Sequence, residues 1–125
     1  MNIIWGMMSL TPHKIAVVFY RTPTGAGVVQ DWLRALPDAD RNIIGQDLMR
    51  VQFRWPVGMP FCRSLGDGLW EVRSTLDTNR IARLLFCFVE GQLIALHGFI
   101  KKTQKTPDTE LKTARKRMQE FLKEQ

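Results

Sequence analysis

Leu69 to Thr75 (LWEVRST), Arg80 to Glu90 (RIARLLFCFVE) and Gln92 to Ile100 (QLIALHGFI) decide the fold. All three are rich in Val, Ile, Phe, Trp and Thr, which suit a pleated, half-buried surface. Asp77-Thr78-Asn79 turns the first pair and Glu90-Gly91 the second. Connections this short force antiparallel neighbours.

Side-chain alternation then sorts the residues. Leu69, Glu71, Arg73 and Thr75 share a face opposite Trp70 and Val72; Ile81, Arg83, Leu85 and Cys87 oppose Ala82, Leu84, Phe86 and Phe88. On the third strand Ala95, His97, Phe99 and Lys101 oppose Ile94, Leu96, Gly98 and Ile100. Each strand offers one apolar face for helices, so Arg73, Arg83, His97 and Lys101 are expected on the open side. That is a phosphate-binding surface in outline. The same pattern also describes solvated cations that discourage edge-to-edge association. No acidic residue falls between Glu90 and Asp108, a gap that holds Lys101, Lys102 and Lys105.

Upstream, Trp55 to Leu65 carries Pro56, Gly58 and Pro60 and reads as an ordered loop. Two helical patterns precede it: Gly25 to Leu36, with Val28, Val29, Trp32, Leu33 and Leu36 on one side, and about Asp38 to Phe53, with Ile43, Ile44, Leu48 and Val51. Pro37 between them predicts a helical hairpin. Lys14 to Arg21 (KIAVVFYR) reads as a strand ended by Thr22-Pro23. Downstream, Thr106 as cap, Pro107 at the first helical position, and Asp108 and Glu110 in the first turn open a helix. Its stripe is Leu111, Ala114, Met118, Phe121 and Leu122. The order is β-α-α-β-β-β-α: an α+β domain with helices on a small antiparallel sheet.

The 125 residues, 45% hydrophobic and 24% charged, support one domain over 1–125 and exclude disorder or a collagen-like fibre. Residues 1–12 read as an extension, disordered or artefactual, with Met7 and Met8 as alternative starts. A net charge of +6 and a pI near 9.8 favour phosphate or an acidic partner. With two cysteines, no basic start before an apolar stretch, and Leu84–Val89 as the longest apolar run, a cytoplasmic protein with no membrane partner is expected.

Other constellations are weaker. Cys62, Cys87, His13 and His97 lack the close spacing of a structural zinc site, so no metal is assigned. Gly25-Ala26-Gly27 lacks the lysine of a phosphate loop, and Asp67-Gly68 is a turn. Cys87 beside His97 could make a nucleophile pair, but its apolar run favours an inert thiol. Trp5, Trp32, Trp55 and Trp70 read as anchors; Trp55 is the one placed to stack a base.

Three ordered motifs resemble the RelE/HigB-like toxins of the RelE/ParE superfamily, particularly the phage-derived subgroup. They are Leu65-Gly66-Asp67-Gly68-Leu69-Trp70-Glu71-Val72-Arg73, Arg83-Leu84-Leu85-Phe86, and Leu96-His97-Gly98-Phe99-Ile100-Lys101-Lys102-Thr103-Gln104-Lys105-Thr106-Pro107. Glu110, Ala114 and Arg117 match the helix that follows. The resemblance implies a type II toxin–antitoxin toxin: an mRNA interferase acting on the ribosome and silenced by an antitoxin, expected to be a helix-turn-helix protein with an acidic segment. Its chemistry needs no cofactor, because the RNA 2′-hydroxyl attacks the adjacent phosphate. The protein accepts a proton, neutralises charge and helps the 5′-oxygen leave.

Under that resemblance Arg73 and Arg83 are the charge stabilisers. Lys101 and Lys102 hold the backbone or stabilise the leaving group. His97 is the base or acid, or a strand histidine that merely hydrogen-bonds; Glu71 is a base, or orients Arg73. Lys102, Lys105, Arg80 and Arg63 are expected to bind RNA. Where many relatives carry a C-terminal tyrosine or histidine, residues 118–125 here have neither, and the sole tyrosine is Tyr20. A ParE-like gyrase inhibitor and a non-catalytic basic module of prophage origin are the alternatives.

Overall fold

The computed structural model describes residues 14–55 and 62–125. The readings of the N-terminal extension, Met7, Met8, Trp5 and His13, and of Pro56, Gly58 and Pro60, lie outside these residues. The elements are β1 (Val17–Phe19), α1 (Val28–Arg34), α2 (Asp38–Arg54), β2 (Cys62–Gly66), β3 (Leu69–Thr75), β4 (Ile81–Val89), β5 (Gln92–Lys101) and α3 (Asp108–Lys123). The five strands form one sheet in the order β1-β5-β4-β3-β2, with β1 parallel to β5 and every other pair antiparallel. The mixed α+β architecture and the β3–β4–β5 meander match expectation. Glu90 and Gly91, at φ +51° and +79°, make the tight turn that a two-residue hairpin with right-handed strand twist demands.

The order differs by one strand. Cys62–Gly66, read as loop, pairs antiparallel with β3, placing Arg63 opposite Glu71. Its short CRSLG pattern carries one large apolar residue, too little periodicity to mark an edge strand. The predicted helical hairpin is corrected too. α1 is only seven residues long, and it packs on β5 while α2 packs on β3, so each helix docks on the sheet separately.

Helices cover both faces of the sheet, not one. Leu48 and Val51 of α2 and Val29 of α1 bury Val72, Leu84, Phe86, Leu93 and Ala95. On the opposite face Ala114 and Met118 of α3 bury Leu69, Leu85, Cys87, Ile94 and Leu96. A bulge in β5 explains how Ile94 and His97 come to one side. Phe86 pairs with Ala95 but Leu85 pairs with His97, so one extra residue reverses the expected parity of Ile94 and Ala95. Gly98 answers another packing demand: a Cβ there would lie 2.3–2.7 Å from the ring of Trp32, so α1 sits directly on the backbone of β5.

Candidate phosphate-binding site

β-Sheet register assembles the site on the face covered by α3. Arg73 pairs with Arg83, and Arg83 with Phe99, forming one row across three strands; Glu71, Leu85 and His97 form the next. Like charges directly opposed across a strand pair are unfavourable, so this arrangement needs compensation. Arg83 is fully buried, a setting the expected open face did not foresee. The segment after β5 folds back over it: the Arg83 guanidinium donates through Nη2 to the Thr103 carbonyl, while Arg73 Nη2 donates to the Gln104 carbonyl at 2.7 Å. Arg83 Nε lies 3.7 Å from Glu71 Oε1, and its Cζ stands 5.5 Å from the Phe99 ring centroid. Among the described residues neither Arg83 Nε nor Nη1 finds a hydrogen-bond acceptor. Burial lowers the Arg83 pKa, neighbouring Arg73 lowers it further, and Glu71 opposes both. A buried guanidinium with unused donors is an acceptor-seeking group.

Glu71 is committed. It is fully buried, Arg63 Nε donates to its Oε2 at 2.5 Å, and the Thr106 hydroxyl donates to Oε1 at 2.8 Å. This carboxylate orients Arg63 and Arg83, whereas Arg73 is held by Gln104; both Glu71 oxygens are engaged. Thr106 was expected to cap α3, but its hydroxyl serves Glu71, and Pro107 takes the cap position with no side-chain cap bond.

His97 belongs to a second polar group. Its Nδ1 accepts from Arg117 Nη1 at 3.1 Å, which leaves the proton on Nε2 to be donated to Glu110 Oε1 at 2.7 Å. Lys101 Nζ lies 3.4 Å from the other Glu110 oxygen. Burial by itself raises the Glu110 pKa, yet the His97 and Lys101 contacts bring it below the usual value. Arg117 also donates to the Leu96 carbonyl at 3.0 Å and stands over the Tyr20 ring. The Tyr20 hydroxyl donates to Glu120, and burial with that carboxylate pushes its pKa up to about 12. Phe99, 5.8 Å from the His97 ring and stacked on it, joins this group to the arginine row.

Register thus gathers Glu71, Arg73, Arg83, His97, Lys101 and Arg63 on one face. Lys102 and Lys105 are exposed on the covering segment and make no ion pair with a described residue. Arg80 does not join them. It forms a bidentate pair with Asp40 of α2, at 2.8 and 3.0 Å, on the opposite helix layer. Sequence reasoning missed Thr106, Glu110 and Arg117 as members; Glu110 and Arg117 are seven residues apart, two turns along one face of α3, a spacing visible in the sequence.

The rival constellations resolve. Cys62 and Cys87 are buried in separate clusters, and burial pushes both thiols up to about 11, which makes them poor nucleophiles and ligands. Trp55 packs edge-on against Trp70 at 4.8 Å and lies 4.4 Å from Phe88, within the α2 face of the core. No helix among the described residues is long and apolar enough to cross a membrane.

No curated protein matches the chain significantly. A family model described as "Phage derived protein Gp49-like (DUF891)" matches residues 31–119, from α1 into α3, and so spans the whole site. The chain therefore belongs to the phage-derived Gp49-like family, a family associated with toxin–antitoxin systems.

Proposed function

We propose that the protein is the toxin of a type II toxin–antitoxin pair and cleaves mRNA, with RelE/HigB-type chemistry. One observation carries this reading: Arg73 and Arg83 are directly opposed, and the buried Arg83 keeps two nitrogens without acceptors. A phosphodiester between them supplies the missing negative charge and the missing acceptors together. Guanidinium forks suit non-bridging phosphate oxygens, and they gain most where charge builds during in-line attack by the 2′-hydroxyl. Lys101, partly exposed beside Glu110, would stabilise the leaving 5′-oxygen. His97 and Glu110, joined through the Nε2–H, form the proton-transfer pair, with Arg117 on Nδ1 fixing the tautomer. Glu71 and Arg117 are positioning residues. An antitoxin that inserts an acidic segment over this face would silence it, and the message on the ribosome is the substrate.

Induced expression in cells, with primer extension on a reporter message, tests the reading. Wild type is expected to arrest growth and leave discrete cuts, both lost in Arg73→Ala and Lys101→Ala. Arrest with intact message and broken DNA would identify a gyrase inhibitor. No arrest would identify a non-catalytic module.

A further inference from the structure

We propose that residues 102–105 form a strap that closes the phosphate site and must swing away before RNA binds. This rests on the phosphate reading above and adds a regulatory step to it. The Thr103 and Gln104 carbonyls accept from Arg83 and Arg73 at positions that non-bridging phosphate oxygens would otherwise take. They are neutral dipoles facing two cations, so anionic oxygens displace them favourably.

The strap is built for movement between fixed ends. At one end Lys101, the last residue of β5, pairs with Glu110; at the other Thr106 is buried and bonded to Glu71. Between them Lys102, Thr103, Gln104 and Lys105 are exposed and belong to no helix or strand. Within the strap, the Thr103 hydroxyl donates to the Lys105 carbonyl at 3.2 Å and shapes the turn. Gln104 adds a second, longer contact from Arg73 to its Oε1 at 3.4 Å. The strap's carbonyls and Glu71 partly satisfy the two opposed guanidinium groups.

A closed strap lowers apparent affinity by the fraction of molecules that are open. Loosening it should raise affinity without touching Arg73, Arg83, His97 or Lys101. The double variant Thr103→Gly/Gln104→Gly keeps both carbonyls but gives the strap more backbone freedom to lose on closing. Fluorescence anisotropy with a short 2′-O-methyl RNA, which cannot be cleaved by 2′-hydroxyl attack, compares wild type, this variant and Arg73→Ala. The expected result is about three- to tenfold tighter binding by the glycine variant, with binding lost in Arg73→Ala. Carbonyl ¹³C shifts of Thr103 and Gln104 in the wild type should move on saturation. Arg73-dependent binding that the glycine variant leaves unchanged or weakens overturns the strap while the phosphate reading stands. Binding in no variant, or binding indifferent to Arg73, overturns the phosphate reading and the strap with it.

Discussion

Replacing Arg83 with methionine should stabilise the fold while abolishing the RNA cleavage proposed above. Three guanidinium groups, Arg63, Arg73 and Arg83, act on one another around the single carboxylate of Glu71. Arg83 is the fully buried one and makes one hydrogen bond, to the Thr103 carbonyl. Losing that bond costs about 1.5–3 kcal/mol, whereas removing an incompletely paired buried charge recovers several kcal/mol. The Arg63–Glu71 pair at 2.5 Å remains, so the carboxylate is not orphaned. The net is a gain of about 1–2 kcal/mol, or roughly 4–8 °C in melting midpoint for a domain of this size. Glu71→Gln should do the reverse: it leaves three cations without a counter-charge and costs about 3–5 kcal/mol. Thermal and urea unfolding followed by circular dichroism measure both, beside the primer-extension assay. If Arg83→Met loses as much stability as Glu71→Gln, Arg83 is a structural ion-pair partner and the argument for an acceptor-seeking site fails.

Three further outcomes are expected. Gly98→Ala should cost about 1–3 kcal/mol because its Cβ meets the Trp32 ring, and Trp32→Leu in the same chain should recover most of the loss; additive losses would show that the contact is not the cause. Arg80 holds the Asp40 pKa below the usual carboxylate value, so the stability it contributes is complete above that value and drains as pH falls through the lowered one. The gap between wild type and Asp40→Asn should therefore close on acidification below about pH 4, and a constant gap would contradict the pairing. Cys62 and Cys87, with thiols pushed up to about 11, should resist alkylation at neutral pH until the protein unfolds; rapid labelling of the native state would refute their burial.

The meander and α3 were legible because two-residue periodicity, tight-turn residues and an amphipathic stripe all act locally. The continuous apolar run Leu84–Val89 also held the sign of a strand buried on both faces, which alternation alone divided into a covered and an open side. What stayed hidden depends on distant partners. The β5 bulge follows from its pairing with β4, and β2 is a strand only because β3 accepts it. In the site, residue types and strand register brought Arg73, Arg83, His97 and Lys101 to one face. The burial of Arg83 was unreadable because the covering segment is irregular backbone, held through main-chain carbonyls that any residue type would supply.

The first strand waits for the last elements. β1 pairs with β5, and the Tyr20 hydroxyl is bound by Glu120, a contact spanning 100 residues of chain. At a synthesis rate of about 5–20 residues per second, roughly 5–20 seconds separate polymerisation of these two residues. Until β5 has been made the sheet lacks its β1 edge, and α3, which brings Glu110 and Arg117 against His97, docks only after that. The His97–Glu110–Arg117 group is therefore the last part of the candidate site to assemble on a nascent chain.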